Sequence, residues 1–169
     1  HGIPEEVFKK IPSVEIYGRT GIQTLHFNTL YQLYYLATRR PELLERADKM
    51  LMIPDFFAYL LTGVARGEMT NASTTNFFDP YAKTWDTELL QSLGIPTHML
   101  PELIRPGECY GMLSESLAKE FKCDPMPVYA VCTHDTASAV AAAPAAAPAA
   151  PAAPAAVKTI DSPLVGTFY

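Results

Sequence analysis

From Ala141 to Ala156 every residue is Ala or Pro, with a proline every third or fourth position. No side chain in that tract can fill a core. Each proline also removes a helix hydrogen-bond donor and disfavours the α region for the residue before it. The tract is therefore expected to be an extended, semi-rigid linker over 141–156, reaching roughly 50 Å if fully polyproline-like. Beyond it, Val157 to Tyr169 (VKTIDSPLVGTFY) reads as strand-like, but a stub of that size cannot bury a core of its own. Whatever folds must be built from residues 2–140.

The 49% hydrophobic content is inflated by these alanines. A net charge of −5 without a basic stripe argues against a nucleic-acid partner. No run of bulky apolar residues is long enough to span a bilayer. The chain begins at His1, with no basic-then-apolar leader, and reads as a piece of something longer that works in the cytoplasm. Cys109, Cys123 and Cys132 form no CxxC pair, so free thiols are expected rather than a disulfide framework or a zinc site. The scattered histidines offer no metal-ligand spacing.

Ile3 to Ile16 reads as a short helix and a turn. Asn28 is a plausible N-cap for a helix running to Arg40, with Phe27, Leu30, Tyr31 and Tyr34 on one face. Tyr31, Tyr34 and Tyr35 are read as core. Pro41 suits the first turn of a helix over 42–48. Met50 to Ile53 reads as a short strand, and Pro54-Asp55 opens a helix stopped by Gly63. Glu68 to Thr75 is rich in hydroxyl and amide groups, which either satisfy loop backbone or line a polar cleft. Trp85 is expected to anchor packing ahead of a helix over 87–93. A strand over 108–112 and a helix over 114–122 follow. Alternating helices and short apolar strands make this an α/β pattern.

Met126 to Val140 (MPVYAVCTHDTASAV) carries the chemistry. An apolar run from Pro127 to Val131 reads as a buried strand and stops at Thr133-His134-Asp135-Thr136, before a small-residue helix. Open α/β sheets place ligands at such strand ends. Asp135 there is either a general base or a cap of the following helix.

Several stretches together resemble the FGGY carbohydrate kinases: Thr70-Asn71-Ala72-Ser73, Asp79, Trp85-Asp86, Leu93-Gly94-Ile95-Pro96, Met99-Leu100-Pro101-Glu102 and Gly111. Within that family, Gly21 to Leu33, Met50 to Gly63 and Thr133 to Val140 look most like the rhamnulokinase branch. The resemblance implies a partial actin-like (ribonuclease-H-like) α/β domain over residues 1–140. It implies ATP- and Mg²⁺-dependent phosphorylation of a small sugar, L-rhamnulose, at a hydroxyl. Asp135 would be the base, and His134, Asp135 and Thr136 would hold the sugar. The family's opening phosphate-gripping segment, its Trp-Gly sugar contact and its second domain have no counterpart in the chain. The segment alone is therefore expected to be inactive, with most of the nucleotide site missing.

The tail, Ser162 to Tyr169, resembles the entry to the biotinyl domain of biotin carboxyl carrier proteins, without the biotin-accepting Met-Lys. Two other readings follow: a chimeric or truncated carrier segment, and an inactive sugar-binding module.

Overall fold

A computed structural model describes residues 2–143. The expectations for the linker beyond residue 143 and for the stub over 157–169 lie outside those residues.

The helices begin and end where local chemistry requires. Helix α1 (Ile3–Phe8) carries Pro4 in its first turn with Glu5 and Glu6 at its positive end. Helix α2 (Ser13–Thr20) stops at Gly21, whose φ of 71° is the left-handed conformation that glycine adopts without steric cost. Asn28 occupies the N-cap position of α3 (Thr29–Arg39), yet its side chain does not cap. Its Oδ1 accepts from Leu25 N at 2.6 Å and its Nδ2 donates to Thr74 O at 2.9 Å. Asn28 thus ties the loop before α3 to a distant segment. Phe27 stands in the preceding turn instead of on the helix. Leu30, Tyr31, Leu33 and Tyr34 are buried, whereas Tyr35 is 47% exposed. Tyr35 falls outside the buried stripe of the helix, so the core reading of that residue is corrected.

Helix α4 (Pro41–Glu45) is shorter than expected. Met50 to Met52 form no strand; they lead directly into α5 (Ile53–Thr62). That helix turns Asp55 and Ala58 inward and leaves Ile53, Phe57 and Leu60 more than half exposed.

The described strands form three two-stranded ladders. Strand β1 (Arg66–Glu68) runs parallel to β4 (Glu102–Ile104), pairing Gly67 with Leu103. A Cβ on Gly67 would meet Pro101 Cγ at 3.2 Å, so glycine lets the two segments approach. Strands β2 (Phe78–Asp79) and β3 (Thr84–Trp85) form a minimal antiparallel pair. Strand β5 (Cys109–Met112) leads through α8 (Glu115–Phe121) to β6 (Pro127–Tyr129) and pairs antiparallel with it, with an irregularity between Cys109 and Gly111. The expected buried strand is corrected here. Tyr129 and Val131 are 57% and 64% exposed, because among the described residues β6 has one strand neighbour and no covering layer on that face.

The main core joins α1, α2 and α3 to a cluster of Phe77, Phe78, Trp85, Leu89, Leu90, Leu93, Ile95 and Met99. Trp85 is the anchor its sequence context suggested: it packs on Phe77 and donates Nε1–H to Pro101 O at 2.8 Å. Asp86 caps α7 (Thr87–Ser92) through Leu89 N and binds Arg19 with two bonds of 2.6 Å. Burial pushes its carboxyl up, but the Arg19 guanidinium and the Leu89 N–H outweigh burial and hold it low.

A smaller polar core positions the strand-end segment. Glu68, completely buried, ends β1 and caps α6 (Met69–Ala72) by accepting from Thr70 N at 2.7 Å and Asn71 N at 3.3 Å. It also accepts from Thr70 Oγ1, from Thr133 N at 3.0 Å and from Thr133 Oγ1 at 2.8 Å. Burial pushes its pKa up, but the bonds from Thr70 and Thr133 more than offset this, so it lies below the usual value. Asp55 Oδ1 accepts from Glu68 N at 2.9 Å and Tyr110 OH at 3.1 Å. Burial, with the Glu68 charge adding to it, pushes Asp55 up. Burial and Asp55 together push Tyr110 up as well.

Leu90, fully buried in the main core, is expected to cost about 2–5 kcal/mol when replaced by Ala, read from urea unfolding of the chain. Glu68→Gln is expected to destabilise by about 1–3 kcal/mol at pH 7, because one amide N–H₂ must face N–H or O–H donors. A depressed folded pKa contributes stability above the unfolded value and loses it as pH falls through the folded value. The gap between Glu68→Gln and wild type should therefore shrink below pH about 4. A gap that is constant or widens on acidification would contradict this.

Candidate active site

After β6 the chain keeps one more pair of bonds to the segment before β5. Ala130 N donates to Glu108 O, and Gly107 N donates to Ala130 O, each at 2.8 Å. The polar run Thr133 to Thr136 then turns into α9 (Asp135–Ala142). His134 holds the N-cap position in extended conformation, and its carbonyl accepts from Ser138 N at 2.9 Å. The helix runs into the alanine tract and ends at Ala143, which is extended (ψ 128°), as a residue preceding a proline prefers.

Asp135 is the first helical residue, not the N-cap. Its Oδ1 accepts from Thr136 N at 2.7 Å and Thr136 Oγ1 at 3.3 Å, and His134 Nε2 lies 3.4 Å away. The side chain is 64% exposed. A negative charge here is favoured by the helix dipole and stays accessible to solvent and to a bound hydroxyl. Asp135 thus satisfies a helix-end donor while remaining open to a ligand.

His134, Asp135 and Thr133 form one side of a cleft of about 510 Å³. Asn71, Ser73 and Thr74 come from α6 and the turn after it, and Ile22, Gln23, Leu25, Phe27 and Asn28 from the loop before α3. The Asn28–Thr74 bond fixes that loop against that turn. Apolar groups (Ile22, Leu25, Phe27) and amide or hydroxyl groups therefore meet in one concavity, the combination expected of a site for a small polar ligand with apolar faces. Thr136 is not among the lining residues; its contacts hold Asp135. A larger cavity of about 630 Å³ between α1 and α3 contains Glu5 and His26 but nothing from the strand end.

The loop residues of the cleft lie within the Gly21 to Leu33 stretch that carried the family resemblance, but their residue pattern did not mark them as lining a site, and nothing in it pointed to the role of Glu68. The hydroxyl-rich stretch did, and both of its readings hold. Ser73 Oγ and Thr74 Oγ1 donate to the carbonyls of Thr70 and Asn71, and the same residues face the cleft. Among the described residues, no group of three or more His, Cys, Asp or Glu could hold a metal ion, and no helix is long and apolar enough to cross a membrane.

Comparison with known proteins gives a consistent result. The profile of the FGGY family of carbohydrate kinases, N-terminal domain, matches residues 2–142. The chain is 40% identical over 139 residues to the rhamnulokinase of Halalkalibacterium halodurans, covering 82% of this chain and 30% of that one. It is 45% identical over 139 residues to the rhamnulokinase of Pectobacterium atrosepticum, covering 82% and 27%. The chain therefore spans less than a third of the length of these relatives. Among solved structures, the xylulose kinase from Rhodospirillum rubrum superposes with a TM-score of 0.68 at 20% identity, covering 75% of this chain and 27% of that one. The Plasmodium falciparum glycerol kinase with ADP superposes with a TM-score of 0.66 at 19% identity, covering 78% and 27%. At those identities the likeness is one of fold, and it is the sugar-kinase fold. The profile match and the rhamnulokinase relatives agree over the same stretch, and the chain belongs to the FGGY family of carbohydrate kinases, within its N-terminal domain.

Proposed function

We propose that residues 2–142 are the later part of the first domain of a kinase that transfers the γ-phosphate of ATP to a hydroxyl of L-rhamnulose. The observation that supports this best is the placement of Asp135 and His134 on the rim of a cleft with both hydrogen-bonding and apolar walls. L-Rhamnulose is a 6-deoxy ketose. Its hydroxyls suit Gln23, Asn71, Ser73 and His134, and its methyl suits Ile22, Leu25 and Phe27. The rhamnulokinase relatives favour this sugar over those named for the structural neighbours.

In this reading Asp135, an acceptor-only carboxylate, takes the proton of the hydroxyl as it attacks phosphorus. Thr136 fixes one carboxylate oxygen, and His134 holds the sugar. Phosphoryl transfer is mostly positioning and charge stabilisation, so a base held in place aligns the nucleophile. Mg²⁺ in such reactions neutralises phosphate charge. Among the described residues, no group of three or more His, Cys, Asp or Glu is placed to cage it.

The 169-residue chain alone, spanning less than a third of its relatives, should show no turnover in a coupled ADP-release assay. A hybrid in which residues 2–142 replace the matching stretch of the Pectobacterium rhamnulokinase should be active. It should show a higher kcat/KM for L-rhamnulose than for glycerol or D-xylulose; glycerol as best substrate would refute the sugar assignment. In that hybrid, Asp135→Asn should lower kcat by about a hundred- to ten-thousand-fold with a smaller change in KM. His134→Ala should mainly raise KM for the sugar. Near-normal kcat in a folded Asp135→Asn variant would mean that Asp135 only completes the helix end.

A further inference from the structure

Glu68 does more than a helix cap needs. Capping α6, a helix of four residues, requires only the bonds from Thr70 N and Asn71 N. The same buried carboxylate also accepts both the N–H and the hydroxyl of Thr133, 65 residues further along the chain. Thr70 extends the connection: its hydroxyl donates to Glu68 and accepts from His134 N at 3.3 Å. Two consecutive residues immediately before Asp135 are thus fixed to one carboxylate, directly and through Thr70. Nothing else described ties the backbone N–H of Thr133 or His134. An ionised carboxylate is acceptor-only and can take all of these donors; an amide of the same shape cannot.

We propose that Glu68 is a positioning residue for the phosphoryl-transfer site, setting through Thr133 and Thr70 where Asp135 presents its carboxylate. The inference rests on the reading of Asp135 as base. It also accounts for a carboxylate at a position without water contact. An ångström of misplacement at such a site costs on the order of a hundredfold in rate.

The test uses Thr133, whose hydroxyl can be removed without changing side-chain shape. In the hybrid kinase, Thr133→Val is expected to lower kcat by about tenfold or more, with KM for L-rhamnulose within about threefold. Thr133→Ser, which keeps the hydroxyl, should restore it. In a Glu68→Ala background Thr133→Val should have little further effect, because no acceptor is left there for the Thr133 hydroxyl. Amide exchange in the 169-residue chain is the second measurement. Glu68→Ala should speed exchange at Thr133 and His134 by about tenfold or more beyond any acceleration at Leu90, which reports the loss of global stability. Additive losses in the double variant, a rise in KM alone, or equal acceleration at Leu90 would overturn the inference and leave the base assignment standing. A hybrid without turnover on L-rhamnulose would overturn both.

Discussion

A buried carboxylate must receive from the protein every hydrogen bond that water would have given it, and Glu68 receives five from Thr70, Asn71 and Thr133. That requirement joins the end of β1, the start of α6 and the segment after β6, which approach one another nowhere else through strand pairing. Removing the charge would leave donors facing an amide, so the bonds are worth more than their sum in water suggests. The arrangement is costly on its other side, where Asp55 accepts from Glu68 N and is pushed toward its neutral form by burial and by the Glu68 charge. Two carboxyls with opposite shifts therefore share one polar core. One holds the strand end, and the other connects α5 to β5 through Tyr110.

The cleft depends on that core for one wall and on Asn28 for the other. Asn28 gives up its usual cap bond to tie the loop before α3 to Thr74, bringing Gln23, Leu25 and Phe27 opposite His134 and Asp135. Both walls are thus held by side-chain bonds to remote backbone groups, which favours a preformed cavity over one assembled on binding.

Much of the local structure was legible in the sequence because its causes are local. Gly63 ends α5 with a positive φ, Pro41 and Pro54 open helices, and Trp85 anchors packing ahead of α7. The change from the apolar run at Pro127 to the polar residues at Thr133 located the strand-to-helix corner. What stayed hidden is non-local. Glu68 meets Thr133 across 65 positions and Asn28 meets Thr74 across 46, and no periodicity encodes either pairing. Apolar patterning also misplaced Met50 to Ile53 and the burial of β6, because a short apolar run reads as a buried strand whether or not a neighbouring layer covers it. Thr136, given a sugar contact by the family resemblance, donates its N–H and hydroxyl to Asp135.

The most direct measurement is a crystal structure of the hybrid kinase with L-rhamnulose and a non-hydrolysable ATP analogue. The expected result is the sugar in the cleft between Phe27, Asn71 and His134, with an Asp135 carboxylate oxygen about 2.6–3.2 Å from the hydroxyl that faces the γ-phosphate. A sugar seated elsewhere, or one whose reacting hydroxyl meets no oxygen of Asp135, would contradict it.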